Sequence, residues 1–174
     1  MAIQLRKTEP TDLPYLYKWE NDASAWAYGI NHNPMSQQDL RHYIENTTGD
    51  IYIDGQLRLI IENTNNNEDK ETNKSNKYIV GCIDLFDFDT RNRRIAIGIY
   101  IAPEFRNNGY GTKAIQILEK YTFEFLDMRL IYAIVSVANT ISNRMFAKLD
   151  YISTSHLSNW TLEGDAIVWQ KIKK

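Results

Sequence analysis

The clearest chemical signal in the chain is the stretch from Ile99 to Thr112, IYIAPEFRNNGYGT. An apolar run ends at Ile101 and Pro103 breaks it. Arg106-Asn107-Asn108-Gly109-Tyr110-Gly111 then leads into a segment where Ala114, Leu118, Tyr121 and Phe125 recur at helical spacing, which predicts a helix from about Thr112 to Leu126. Glycines permit positive φ and close backbone approach, so successive N–H groups at the positive end of a helix can converge on one anion. Arg106 adds a bidentate donor suited to a phosphate oxygen.

Spacing decides which anion. Gly109-Tyr110-Gly111-Thr112-Lys113-Ala114 fits the dinucleotide pattern G-x-G-x-x-A, but that fingerprint needs its first glycine in the turn directly after the strand, and here Ala102 to Asn108 intervene. The next apolar strand, Leu130 to Asn139, has no acidic residue to hold a ribose. A Walker loop is excluded because no Gly-Lys-Ser/Thr follows.

Arg106-x-x-Gly109-x-Gly111, placed after a strand and before a helix, resembles the pyrophosphate loop of the GCN5-related N-acetyltransferases (GNAT). Asn139-x-x-Ser142-Asn143 followed by Phe146-Ala147-Lys148-Leu149-Asp150-Tyr151 resembles the second half-site of the same family, with Asp150 where the family usually has Gly. The similarity covers nearly the whole chain and is nearest to the spermidine N-acetyltransferases and the ribosomal-protein N-terminal acetyltransferases. It implies an α/β (α+β) fold: a mixed, mostly antiparallel sheet of about seven strands, about four flanking helices and a splayed central strand pair. It implies acetyl-CoA as cofactor and no metal. Carried onto this sequence, the backbone of Ile99, Tyr100 and Ile101 would hold the pantetheine arm opposite Val135 to Val137. Arg106, Asn107, Asn108, Gly109, Tyr110, Gly111 and Thr112 would hold the pyrophosphate, and Asn139, Asn143 and Phe146 would complete the cofactor site.

Acetyl transfer to an amine needs an unprotonated nucleophile, a stabilised oxyanion and a proton for the departing thiolate. The spermidine enzymes carry a general-acid Tyr where this chain has Phe146 and a carboxylate where it has Ala96, and neither side chain present here can transfer a proton. The ribosomal-protein enzymes present a Ser within N-x-x-S-N, which makes Ser142 the candidate acid; it also reads as a helix N-cap. Asp84 is a candidate base, acting directly or through water, and also reads as a hydrogen-bonded strand residue. The resemblance makes Trp26 and Tyr28 candidate acceptor-site residues, though they also read as core aromatics. Asp84, Asp87 and Asp89 read equally as a cation-attracting acceptor mouth or as a solvated edge, with Glu20 and Asp22 adding negative potential that would steer a polycation. The function implied is transfer of acetyl from acetyl-CoA to a primary amine on a small, polyamine-like molecule. The alternatives are N-terminal acetylation of a peptide, as in the ribosomal-protein enzymes, and a catalytically weak relative that binds CoA or a polyamine. A homo-oligomer is compatible with the resemblance.

The rest of the sequence bounds the setting. A chain of 174 residues, 43% of them apolar, suits one domain spanning 1–174 with a sizeable core. A net charge of −2 provides no basic footprint for nucleic acid. Cys82 stands alone, which excludes a disulfide framework and fits a reducing cytoplasm. The N-terminal MAIQLRKTEPTD has no apolar signal core, and no apolar run approaches membrane-spanning length. His32, His42 and His156 are far apart and lack metal-ligand spacing.

The elements that must position these groups follow from local pattern. Ile3 and Leu5 mark a first strand; Thr8 or Glu9 caps a helix with Pro10 near its start and Leu13, Leu16 and Tyr17 on one face, ending near Asn21-Asp22. The capping box Ser36-x-x-Asp39 opens a second helix. Ile51 to Ile53 and Leu57 to Ile61 read as a hairpin around Asp54-Gly55. The sixteen residues from Glu62 to Lys77 contain no apolar side chain and read as a polar excursion between strands. Tyr78 to Phe88 reads as a strand with Asp84, Phe86 and Phe88 on one face, and Ile95 to Ile101 and Leu130 to Val137 as buried central strands. A helix from about Ser142 to Leu149 and a hairpin pairing Ile152 to Leu157 with Ala166 to Ile172 complete the chain. Parallel pairing is expected only where the loop-bearing helix crosses over.

Overall fold

The computed structural model describes residues 2–26, 33–64 and 78–174. Tyr28, His32 and positions 65–77 of the polar excursion lie outside the described residues. Seven strands, β1 (Ile3–Lys7), β2 (Leu57–Asn63), β3 (Tyr78–Asp89), β4 (Arg94–Ile101), β5 (Leu130–Ser136), β6 (Ile152–Thr161) and β7 (Gly164–Ile172), form one sheet in the order β1-β2-β3-β4-β5-β7-β6. Every neighbouring pair is antiparallel except β4 and β5, which are joined by the long helix after the glycine loop and run parallel. Among the described residues, four helices have eight or more residues: α1 (Leu13–Glu20), α3 (Gln37–Asn46), α5 (Tyr110–Lys120) and α6 (Thr140–Lys148); α2 (Ala23–Trp26) and α4 (Ile51–Asp54) are single turns.

The two sheet faces carry different cores. On one, Ile83, Leu85, Ile95, Ile97, Ile131 and Val135 pack with Ala114, Ile115 and Leu118 of α5 and Phe146 of α6. On the other, Leu16 and Trp19 of α1 and Leu40 and Ile44 of α3 cover Ile60, Cys82 and Ala102. Burying each of the larger aliphatic side chains stabilises the fold by about 1.5–3 kcal/mol. The predicted capping box is present: Ser36 Oγ accepts from the Asp39 N–H at 3.0 Å, and an Asp39 carboxylate oxygen accepts from the Ser36 N–H at 3.1 Å.

Three local expectations are corrected. Ile51 to Ile53 is a helical turn and not a strand, because Asp50 accepts from the Tyr52 N–H at 2.9 Å at its start and Gly55, at φ 68°, ends it. The Asp54-Gly55 pair that resembles a hairpin turn is therefore a helix stop. The polar excursion begins later than Glu62, since the β2 backbone keeps its partners through Asn63, with Ile3↔Asn63 on one side and Asn63↔Tyr78 on the other. Phe88 does not share a face with Asp84 and Phe86. The register breaks between Phe86 and Asp89, Asp87 adopts φ 49°, and this bulge turns Phe88 toward the α5 side of the sheet.

Candidate active site

The site begins where β4 and β5 part. Their register runs Arg94↔Leu130, Ile95↔Ile131, Ala96↔Tyr132 and stops there. Beyond that point β4 keeps pairing with β3 up to Gly81↔Ile101, while β5 keeps pairing with β7 up to Ser136↔Ala166. Each arm of the fork is held by its outer neighbour. At Gly81 a Cβ would lie 2.0 Å from the Tyr100 carbonyl oxygen, so only glycine lets β3 draw β4 this close. On the other arm, the Asn143 amide donates to the Ser136 carbonyl at 2.9 Å and its oxygen accepts the Trp169 indole N–H at 2.8 Å, which ties the end of β5 to α6 and β7. Burial follows the fork: Ile95, Ala96 and Ile97 are buried, whereas Gly98 to Ile101 are half-buried. The inner edges of Ile97–Ile101 and Ala133–Ser136 thus face a gap a thioester arm can enter.

The anion loop closes one end of this fork. A 3-10 turn at Pro103–Phe105 leads to Asn107 at φ 62° and Gly109 at φ 79°, both left-handed, and Gly109 is the N-cap of α5. No side chain caps that helix, so the N–H groups of its first turn remain donors without an intrahelical acceptor. The helix starts at Tyr110, two residues earlier than expected, and continues through a π turn at Tyr121–Phe125. Arg106 donates from Nε to the Ile101 carbonyl at 2.9 Å, and its guanidinium sits 5.8 Å from the Tyr100 ring centroid. That bond fixes the arginine at the loop while leaving its terminal nitrogens for a ligand oxygen. A Cβ on Gly111 would lie 2.9 Å from Met145 Sδ and 3.7 Å from side-chain carbons of Ile99 and Ile101, so a side chain there would fill the space between α5, α6 and the fork. The loop therefore fits a diphosphate held by main-chain N–H groups and Arg106.

Three of the expected cofactor residues have side chains engaged or buried within the protein. Tyr110 offers only its backbone, since the side chain is buried and its hydroxyl is 2.8 Å from that of Tyr78. Burial, followed by that hydrogen bond, pushes the Tyr110 phenol up to about 12. The Asn143 carboxamide is engaged in the β5–β7 tie and with the Asn139 carbonyl at 2.9 Å. Phe146 is 2% exposed and meets Tyr151 edge-on at 5.0 Å, in the core rather than along the fork. Asp150 takes φ 62°, filling with an aspartate the left-handed position that favours glycine.

Ser142 is not the helix cap. Asn139 is the N-cap of α6 and its Oδ1 accepts from the Ser142 N–H at 3.1 Å, which leaves the Ser142 hydroxyl outside the cap. On the α1 side of the sheet, Asp84 lies across from Gly98 on β4 and from Arg58 on β2. Arg58 grips both Asp84 oxygens, Nε to Oδ1 at 2.7 Å and Nη2 to Oδ2 at 3.0 Å, and its Nη1 reaches Glu20 on α1. Burial alone would lower the Arg58 pKa, but the Asp84 and Glu20 carboxylates outweigh it and hold the guanidinium well above its ordinary value. Sequence reasoning missed Arg58; the signal was a lone cation inside the apolar run Leu57-Arg58-Leu59-Ile60-Ile61.

Two further tethers flank this cluster. The Tyr100 hydroxyl donates to Asp22 at 3.1 Å, and burial followed by that bond raises the phenol pKa. The Tyr132 hydroxyl donates to Asp87 at 3.0 Å, so Asp87 sits beside the last paired residue of the fork. The Trp26 indole donates to the Glu20 carbonyl at 2.7 Å, placing it by the end of α1.

Residues 3–152 match the family model of the acetyltransferase (GNAT) domain. The chain belongs to the GNAT acetyltransferases. It is an acetyl-CoA-dependent N-acetyltransferase, and the fork and glycine loop are the parts of this GNAT domain that fit the cofactor. Among curated relatives, it is similar to spermidine N(1)-acetyltransferase of Vibrio cholerae, 21% identical over 89% of this chain and 82% of that one. It is also similar to the Escherichia coli K12 enzyme of the same name, 24% identical over 86% and 73%. A putative ribosomal N-acetyltransferase of Bacillus subtilis is 31% identical over 42% of this chain and 40% of its own. Among solved structures, the V. cholerae spermidine N-acetyltransferase in complex with CoA and spermine shares the fold with a TM-score of 0.83, 20% identity, and coverage of 98% of this chain and 95% of that chain. No helix among the described residues is long and apolar enough to cross a membrane.

Proposed function

We propose that this GNAT enzyme acetylates a primary amine on a small, polyamine-like molecule. The observation that carries the reading is the charge on the acceptor side of the fork. Glu20, Asp22, Asp84 and Asp87 are linked to it through Arg58, Tyr100 and Tyr132, with Arg58 bonded to Glu20 and Asp84. Such a field raises the local concentration of a polycation far more than that of a singly charged peptide N-terminus. The relatives named as spermidine acetyltransferases support the same acceptor class.

In this reading the diphosphate is held by Arg106 and the first-turn N–H groups of α5, and the fork-facing backbone of Ile99 to Ile101 aligns the arm. Acetyl-CoA supplies an activated acetyl thioester and a thiolate leaving group. Asp84, already gripped by Arg58, holds the acceptor ammonium by charge and passes its proton to water. Ser142 Oγ gives its proton to the departing sulfur and takes in exchange the proton that the acetylated nitrogen loses, a relay that Phe146 cannot perform. The enzyme acts in the cytoplasm. It self-associates through the β6 edge, where Ile152, Trp160 and the following Leu162 are 68%, 60% and 75% exposed.

The test compares kcat/KM for spermidine and for a short peptide at low and high salt. Polyamine turnover that falls more steeply with salt supports the assignment, because screening acts on the acceptor field. Turnover of the peptide with none of any polyamine would instead favour N-terminal acetylation, the reading that the Ser142-containing N-x-x-S-N pattern supports.

A further inference from the structure

Tyr78 opens β3 and lies against the glycine loop, thirty-two residues before Tyr110 in sequence. Its ring stacks on Phe105 at 5.2 Å with planes 19° apart, and Phe105 in turn meets Tyr110 edge-on at 6.1 Å. The circuit closes through the two hydroxyls, 2.8 Å apart. Phe105 belongs to the 3-10 turn before the loop, and Tyr110 is the first residue of α5 after the left-handed Gly109. Three rings therefore clamp both ends of the segment from Arg106 to Gly109. Tyr110 is 7% exposed whereas Tyr78 is 38% exposed, so the buried hydroxyl depends on the more accessible one.

We propose that Tyr78 is a positioning residue for the cofactor diphosphate: through Phe105 and the Tyr110 hydroxyl it fixes the rotation of the first turn of α5, and with it the direction of the N–H groups. The physical reason is geometric. A helix N-terminus binds an anion only if its free N–H groups converge, and Gly109 and Gly111 on either side of Tyr110 leave that turn with little stiffness of its own. Anchoring the one large side chain between the glycines supplies the stiffness. The inference rests on the acetyl-CoA assignment and names a residue that never touches the ligand.

The experiment is isothermal titration of CoA into the full chain and into Tyr78→Phe, Tyr110→Phe and the double variant, with thermal melts of each. Tyr78→Phe is expected to weaken CoA binding by about three- to tenfold, the worth of one hydrogen bond to a buried hydroxyl. The double variant is expected to be no weaker than Tyr110→Phe alone, because both changes remove the same bond. Tyr78→Phe should raise the KM for acetyl-CoA and leave kcat unchanged, while the KM for S-acetylpantetheine, which lacks the diphosphate, stays as in the wild type. Unchanged CoA affinity in Tyr78→Phe, strictly additive losses, or an equal loss with S-acetylpantetheine would each overturn the inference. Failure of the wild-type chain to bind CoA would instead bring down the cofactor assignment on which it rests.

Discussion

Asn143 and Trp169 join helix α6 to strand β7 through one hydrogen bond, 2.8 Å from the indole nitrogen to the carboxamide oxygen, and the amide nitrogen of the same Asn143 holds the Ser136 carbonyl at the end of β5. This is the fastening that keeps β5 on the β7 side of the fork. Asn143→Ala leaves the indole N–H and the Ser136 carbonyl without these partners, so unfolding free energy should fall by about 1–3 kcal/mol and the melting temperature by about 2–10 °C. A melting curve superimposable on the wild type would show that the fork holds without it.

Ser142→Ala separates catalysis from capping. Because Asn139 supplies the cap through its own side chain, removing the Ser142 hydroxyl should leave the melting temperature unchanged. If Ser142 protonates the leaving sulfur, kcat should drop by about ten- to a thousandfold with little change in the KM for acetyl-CoA. A variant that loses thermal stability and keeps kcat would remove Ser142 from the mechanism.

The two loop glycines should fail in different ways. Gly111→Val puts side-chain atoms where a Cβ alone already comes within 2.9 Å of Met145 Sδ, the end of a flexible side chain, so the fold should survive while CoA binding is lost. Gly109→Val must also adopt φ 79°, at a cost of about 1–2 kcal/mol, and should lose both affinity and stability. Calorimetry that finds full CoA affinity in Gly111→Val would refute the placement of the diphosphate.

Stability should decline in alkali before the phenols of the unfolded chain titrate. Burial pushes the Cys82 thiol from its ordinary 9.0 up to about 12, so the unfolded chain releases this proton first and rising pH favours unfolding from about pH 9 to about pH 12. The contribution is present in full below pH 9 and amounts to about 4 kcal/mol if the thiolate stays fully excluded from the core. Tyr110 and Tyr132, pushed by burial from 10.0 up to about 12, extend the decline above pH 10. Urea unfolding at pH 8, 9, 10 and 11 should show a shallower loss between pH 9 and 10 for Cys82→Ala than for the wild type. Parallel losses would assign the slope to other groups.

Local chemistry made much of this protein readable from its residues. Gly109 and Gly111 after Arg106 announced the anion loop, Ser36 and Asp39 announced the start of α3, and the apolar runs at Ile95 to Ile101 and Leu130 to Val137 announced the two strands that became the arms of the fork. Each of these signals works over a few residues, where propensity, capping and backbone freedom act without help from the rest of the chain.

What tertiary structure alone decided involves partners distant in sequence. Asp54-Gly55 became a helix stop because Asp54 gathers Thr47, Thr48 and Gly49 around its carboxylate, and the nearest strand partners of β2 turned out to be β1 and β3. Phe146 went into the core against Tyr151, Asn143 was claimed by Trp169, and Asp84 was claimed by Arg58, twenty-six residues away. The parting of β4 from β5 has no local signature, because it arises from a balance in which β3 and β7 each hold one arm more strongly than the arms hold each other. A strand's sequence specifies that it will be extended and which face will be buried; which edge keeps its hydrogen bonds is settled only when all of the neighbouring strands are in place.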